Sequence, residues 1–182
     1  VISGVEKSIQ ELFGKSGFWH GFTVAIALIG TVIGAMTAGK PADKFGRKQV
    51  LLVIAVLYII SAIGSAITSN WYVFMIFRFL GGLGVGASSV IGPMYIAETS
   101  PPKLRGRLVG LFQFNIVCGI LLAFFSNYLI NNIVEFSAWR YMLGIESIPA
   151  LLFFKLLFAV PATPRWLVMK NRNSEAESLL IK

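Results

Sequence analysis

The stretch RFLGGLGVGASSVIGPMYIAETSPPKLRGR, running from Arg78 to Arg107, decides how the rest of the chain is read. An arginine stands inside a glycine-laced apolar run long enough to cross a bilayer. The run ends in Pro93, Tyr95 and Glu98, and a short basic loop follows with Lys103, Arg105 and Arg107. Burying a charge in hydrocarbon costs at least ~2.5–3.5 kcal/mol, so a residue such as Arg78 is a functional one by default.

Working outward, the composition agrees with a membrane protein. Hydrophobic residues make up 56% of the 182 and charged residues only 13%, and the mean hydropathy is +0.76. A soluble domain carries about 25% charged residues, so this chain lacks the polar surface to cover itself. The 15 phenylalanines suit a lipid-facing exterior. A formal net charge of +8 would suit nucleic acid only if the basic residues shared one soluble face. They lie instead in short loops between apolar runs, and no nucleic-acid partner is expected.

A spanning helix needs about 20 mostly apolar residues. Five stretches qualify: Gly17–Gly39, Gln49–Thr68, Trp71–Ala97, Leu108–Asn131 and Trp139–Val160. Val1–Ile9 is too short to cross and reads as the outer end of a helix whose beginning is missing. It has neither the basic leader nor the cleavage site of a signal peptide. The expected fold is therefore an all-α membrane protein of six helices, the first truncated and the five stretches forming helices two to six. Residues 1–163 form the transmembrane domain. Residues 164–182 begin a cytoplasmic helical segment, where Ser174 and Glu177 have capping-box spacing.

Lysines and arginines set the orientation. Lys40, Lys44, Arg47, Lys48, Lys103, Arg105, Arg107, Arg165, Lys170, Arg172 and Lys182 fall on one side, and Lys7 and Lys15 on the other. The positive-inside rule places the loops after helices two, four and six in the cytoplasm. Trp19, Trp71 and Trp139 then fall at outer helix ends, as an aromatic belt requires.

Within Gly39–Lys48, Gly39 and Gly46 bracket what reads as a tight turn. Asp43, the one acid among four bases, is expected to pair locally or to cap a helix. The run is either a charged turn fixing topology or a latch remade as the protein changes state. Gly82, Gly84 and Ala87 have the spacing of a dinucleotide fingerprint, but no strand precedes them. Gly82 and Gly86 instead form a Gly-x-x-x-Gly packing pair, extended by Ser88 and Ser89. Arg78 either snorkels to the outer interface or faces the interior and needs an acid. Glu146 and the missing start of helix one are the two places to look.

Gln113, Asn115 and Asn127 in helix five either bind a polyhydroxylated ligand through paired donors and acceptors or join helices. No enzyme, metal site or cofactor is expected. His20, the lone histidine, lies at the outer edge, and Cys118 has no base nearby.

Together these residues are similar to a known family. Gly39–Lys48 resembles the loop signature of the major facilitator superfamily. Arg78–Gly86, Pro93–Glu98, Arg105-Gly106, Trp139-Arg140 and Pro161–Trp166 resemble the sugar porter family within it, in that family's order and spacing. The likeness is closest to bacterial xylose–proton symporters. It implies the N-terminal six-helix bundle of a twelve-helix fold, in a bacterial inner membrane, joined to a C-terminal six-helix half.

It also implies roles for particular residues. Gln113 corresponds to a glutamine that bonds the sugar, with Ile116 and Ile120 lining the pocket. Arg78 corresponds to the arginine paired with a first-helix aspartate in proton-coupled members, which would lie just before Val1. Asp43, Arg47, Glu98 and Arg105 correspond to a cytoplasmic gate. Ala162 stands where the family usually has glutamate, which would weaken that gate. The implied function is proton-coupled symport of a monosaccharide by alternating access. A facilitative sugar uniporter and a non-transporting sugar sensor are the alternatives.

Overall fold

The computed structural model describes residues 18–133 and 138–180. The first-helix reading, Lys7, Lys15 and the side chain of His20 lie outside the described residues. Among those described, all regular structure is helical. In chain order the helices are α1 (Phe18–Thr37), α2 (Gly39–Phe45), α3 (Arg47–Ile67), α4 (Trp71–Thr99) and α5 (Arg105–Ile133). They continue with α6 (Ala138–Gly144), α7 (Ser147–Ala159), α8 (Pro164–Met169) and α9 (Asn173–Leu180).

Helices α3, α4, α5 and the α6–α7 pair are long and apolar enough to cross a membrane. The bent pair α1–α2 makes a fifth such span. These match the five stretches read from the sequence, with three differences at their ends and joints.

The first difference is at residues 39–46. The expected tight turn is a short helix, bent 47° from the one before it. Only Gly46 adopts a left-handed backbone, with φ +97°, and the Trp166 ring lies against the spot where its Cβ would be. Gly39 opens α2 with free space around it, so it is not the bracketing turn residue expected.

The second difference is a break at residues 145–146, between α6 and α7, where one continuous helix was expected. Pro149 has no N–H to donate to the Ile145 carbonyl. That carbonyl instead accepts the shorter i+3 bond from Ile148, at 3.1 Å. By contrast α4 runs straight through Pro93.

The third concerns the tail. Helix α9 starts at Asn173, so Ser174 lies inside its first turn and does not cap it. Arg172 holds the first turn through both oxygens of Glu175, at 2.8 and 2.6 Å.

Packing begins with α1 against α4. A Cβ on Gly30 or Gly34 would collide with the backbone of α4 at Phe79 or Leu83, and one on Gly82 or Gly86 with the α1 carbonyls of Ala27 or Thr31. The two backbones therefore touch, which only glycine permits. At the outer end Trp71 donates to Thr23 Oγ1 at 2.9 Å, and Asn70 caps α4 by accepting from the Tyr72 and Val73 amides.

Helices α3 and α7 complete the core through Leu51, Ile54, Ala55 and Leu157, clustered with Ile91 of α4. A second cluster, Phe74, Trp139, Met142 and Leu143, sits at the outer end. There Arg140 closes the end of α3, donating to the carbonyls of Ala66 and Ile67 at 3.1 and 2.7 Å and to Ser69 Oγ at 2.7 Å. A cation suits those unpaired carbonyls. Helix α5 is the least enclosed, its one buried residue being Asn127.

Candidate functional site

Arg78 lies two turns inside α4, where the glycines bring the helix close to its neighbours. Its guanidinium sits 5.7 Å from the ring centroid of the fully buried Phe74. Its buried Nε has no hydrogen-bond partner. The side chain does not snorkel outward. It lines an open cavity of about 430 Å³ together with Tyr58, Ser61, Gly81 and Glu146.

Glu146 lines that cavity from the α6–α7 junction, immediately before α7. Arg78 and Glu146 feel one another's charge, although no direct ion pair joins them among the described residues. Tyr58 and Ser61 were not picked out from the sequence. The Tyr58 hydroxyl shares a 2.7 Å hydrogen bond with Ser88, and Ser61 donates to the Phe77 carbonyl at 2.7 Å. Their signal was two polar residues three apart in an apolar run.

At the opposite end of α4, Arg47 lies between two carboxylates. Its Nη2 is 2.9 Å from Asp43 and 3.0 Å from Glu98, and its Nη1 donates to the Ala42 carbonyl at 3.1 Å. Arg47 and Glu98 are buried and Asp43 is exposed. Gly46 makes this possible by turning the chain so that α3 begins under α2. Nearby, Tyr95 donates to the Pro161 carbonyl at 2.8 Å and Lys48 to the Phe158 carbonyl at 3.3 Å, tying the inner end of α7 to α3 and α4.

Arg105 is not brought into this cluster. It stands exposed at the start of α5, with no ion pair to another described residue.

The amide residues fall on a different surface. Gln113, Ile116 and Ile120 share one face of α5 at helical spacing and all three are exposed. Ile116 also borders a second open cavity of about 520 Å³ with Tyr58, Ser88, Tyr95 and Phe112. Asn127 is buried. The described residues hold no cluster of histidine, cysteine and acidic side chains suited to a metal ion.

A family model described as sugar (and other) transporter matches residues 4–182. The chain belongs to this family. Its fold is that of the major facilitator superfamily, and its members are transporters and not enzymes. The glucose transport protein of Synechocystis is 41% identical over the whole of this chain, which covers 41% of that protein. The D-xylose-proton symporter of Escherichia coli K12 is 39% identical, with 43% of it covered. The chain thus spans less than half the length of these relatives.

Among solved structures, the proton:xylose symporter XylE bound to 6-bromo-6-deoxy-D-glucose superposes with a TM-score of 0.93 at 38% identity. The match takes in 98% of this chain and 44% of that one. An inward-open form of XylE from E. coli gives a TM-score of 0.90, again over 98% of this chain and 47% of that one. Both cover under half of the solved chain, as an N-terminal half would.

Proposed function

We propose that this chain is the N-terminal half of a proton-coupled monosaccharide symporter working by alternating access. It lies in a cell membrane with the loops holding α2, Lys103 and α8 in the cytoplasm, and a C-terminal half completes the pathway. The observation that carries the reading is the cavity bordered jointly by Arg78 and Glu146. A half-buried cation sharing a cavity with a half-buried acid interacts with a strength that changes with one proton.

With the acid ionised, its charge attracts Arg78 across the cavity. Protonating it, or the aspartate that the family resemblance places ahead of Val1, frees Arg78 and lowers the barrier to rearrangement. The exposed Gln113–Ile116–Ile120 face offers one amide and an apolar wall to a sugar. The C-terminal half supplies the facing contacts. Asp43, Arg47 and Glu98 form the inner latch, with Arg105 outside it in this state, and the chain from Pro164 onward leads into the linker between halves.

Arg78→Ala in the full-length transporter should abolish uphill sugar accumulation while sugar exchange persists. Unchanged accumulation would overturn the proton-coupled reading. One feature favours a facilitator instead, namely that Arg78 and Glu146 make no direct ion pair. Sugar uptake that stays the same when the pH gradient is collapsed would select that reading.

A further inference from the structure

A crevice of about 540 Å³ opens between α1 and α3, with α4 at its floor. Its walls include Gly34, Val50, Val53, Ile54 and Leu83, so it is apolar throughout its depth. Val53 is 60% exposed, and the crevice therefore opens sideways, toward the bilayer. Phe45 and Gln49 stand at its mouth. The Lys44 ammonium lies 5.2 Å from the centroid of that same Phe45 ring. Lys40 is one turn away from Lys44 on the same face of α2, and both are exposed.

Neither lysine has an acidic partner among the described residues, because the one acid on α2, Asp43, is paired with Arg47. Two cations without an acidic partner among the described residues thus stand on α2 beside the mouth of an apolar slot, Lys44 against the Phe45 ring that borders it. The acyl slot and the cations call for a ligand with a hydrocarbon tail and an anionic head. Basic residues at such a crevice are the arrangement that binds acidic headgroups.

We propose that this crevice is a binding site for an anionic phospholipid, its acyl chain between α1 and α3 and its phosphate-bearing headgroup against Lys40 and Lys44. The occupied site sits against the helix that carries Asp43, so the lipid braces α2 beside the Arg47 latch. The inference rests on the membrane reading of the chain and not on sugar transport.

The test uses the protein in nanodiscs with phosphatidylglycerol or phosphatidylcholine carrying a photoreactive diazirine at the end of one acyl chain. Peptide mass spectrometry then maps the adducts. Phosphatidylglycerol should label residues 34–45 and 50–57 above all other lipid-facing segments, and phosphatidylcholine at least tenfold less. Lys40→Gln with Lys44→Gln should lower the phosphatidylglycerol labelling roughly tenfold or more. Lys103→Gln with Arg107→Gln, an equal loss of charge elsewhere on the same side, should leave it unchanged.

Val53→Trp fills the slot with both lysines intact and should also abolish labelling. Three outcomes would overturn the proposal: equal labelling by the two headgroups, equal loss from both double variants, or no labelling of the crevice by either probe. The last would mean that protein, such as the C-terminal half, covers it. A failed lipid site with intact symport leaves the functional reading standing, and the reverse also holds.

Discussion

Arg47 is 4% exposed, so nearly all of its hydration has been exchanged for Asp43, Glu98 and the Ala42 carbonyl. Removing it leaves the Glu98 carboxylate buried and unpaired, since Arg47 is its ion-pair partner and neither carboxylate oxygen has another hydrogen bond among the described residues. Arg47→Ala should therefore destabilise the fold by about 3–5 kcal/mol, read as a lowered unfolding midpoint in detergent. Replacing Arg47 and Glu98 together by leucine should recover most of that loss, because the isolated charge is what destabilises. A double variant no more stable than Arg47→Ala would contradict this account.

Arg140 does a comparable job for α3 at the outer end. Arg140→Ala should destabilise by about 1.5–3 kcal/mol, the range for a charged hydrogen-bonding group, measured by the same unfolding assay. The sequence exposed these charges but not all their partners. Asp43 was expected to pair locally, and Arg47 four residues on is a neighbour by helix geometry alone. Arg105 was grouped with them on resemblance, and nothing in its local spacing could place it at the exposed start of α5. The meeting of Arg78 with Glu146 depends on how α4 and α7 both pack on α3, which periodicity does not encode.

Between helices the glycines decide. Gly30 and Gly34 on α1 face Gly82 and Gly86 on α4, so each backbone occupies the space where the other's side chain would be. Gly86→Ala should separate α1 from α4 and lower stability by well over 1 kcal/mol, in the manner of overpacked cores. Gly110, in α5, has nothing near its missing Cβ. Gly110→Ala should be neutral or stabilise by roughly 0.5–1 kcal/mol through helix propensity alone. Opposite signs in the unfolding assay would separate packing from propensity, and equal losses would refute the close-contact account.

The spacing of Gly82 and Gly86 announced this contact in the sequence, since small residues four apart form a stripe. The helical α2 was hidden, because two glycines around a basic run look like a turn until the chain is seen bending by 47°. Pro149 signalled the α6–α7 break, but Pro93 gives the same signal within an unbroken α4. What separates them is tertiary packing.

Across the molecule, Arg78 and Glu98, the acid that pairs with Arg47, sit on opposite stretches of α4, one helix linking both sites. A twelve-helix transporter built on this half should open more readily on the inner side when Glu98→Gln removes the charge that holds Arg47. Faster maleimide labelling of a cysteine placed on the inner cavity would report the change, and labelling at the parental rate would argue against a latch. The five spans among the described residues were readable from hydropathy. The crevice between α1 and α3 was not, because its apolar walls come from three separate helices.

Trp166 packs against Gly46 at the hinge of α2 and α3, while Trp19, Trp71 and Trp139 gather at the far end. The two ends of the bundle are therefore optically distinct. In a variant where the three distant tryptophans are phenylalanine, the emission maximum of Trp166 alone would follow the latch. Its half-buried indole, whose enclosed Nε1 has no hydrogen-bond partner among the described residues, would shift to the red as more water reached it. The molecule thus carries its own fluorophore at the turn that joins α2 to α3.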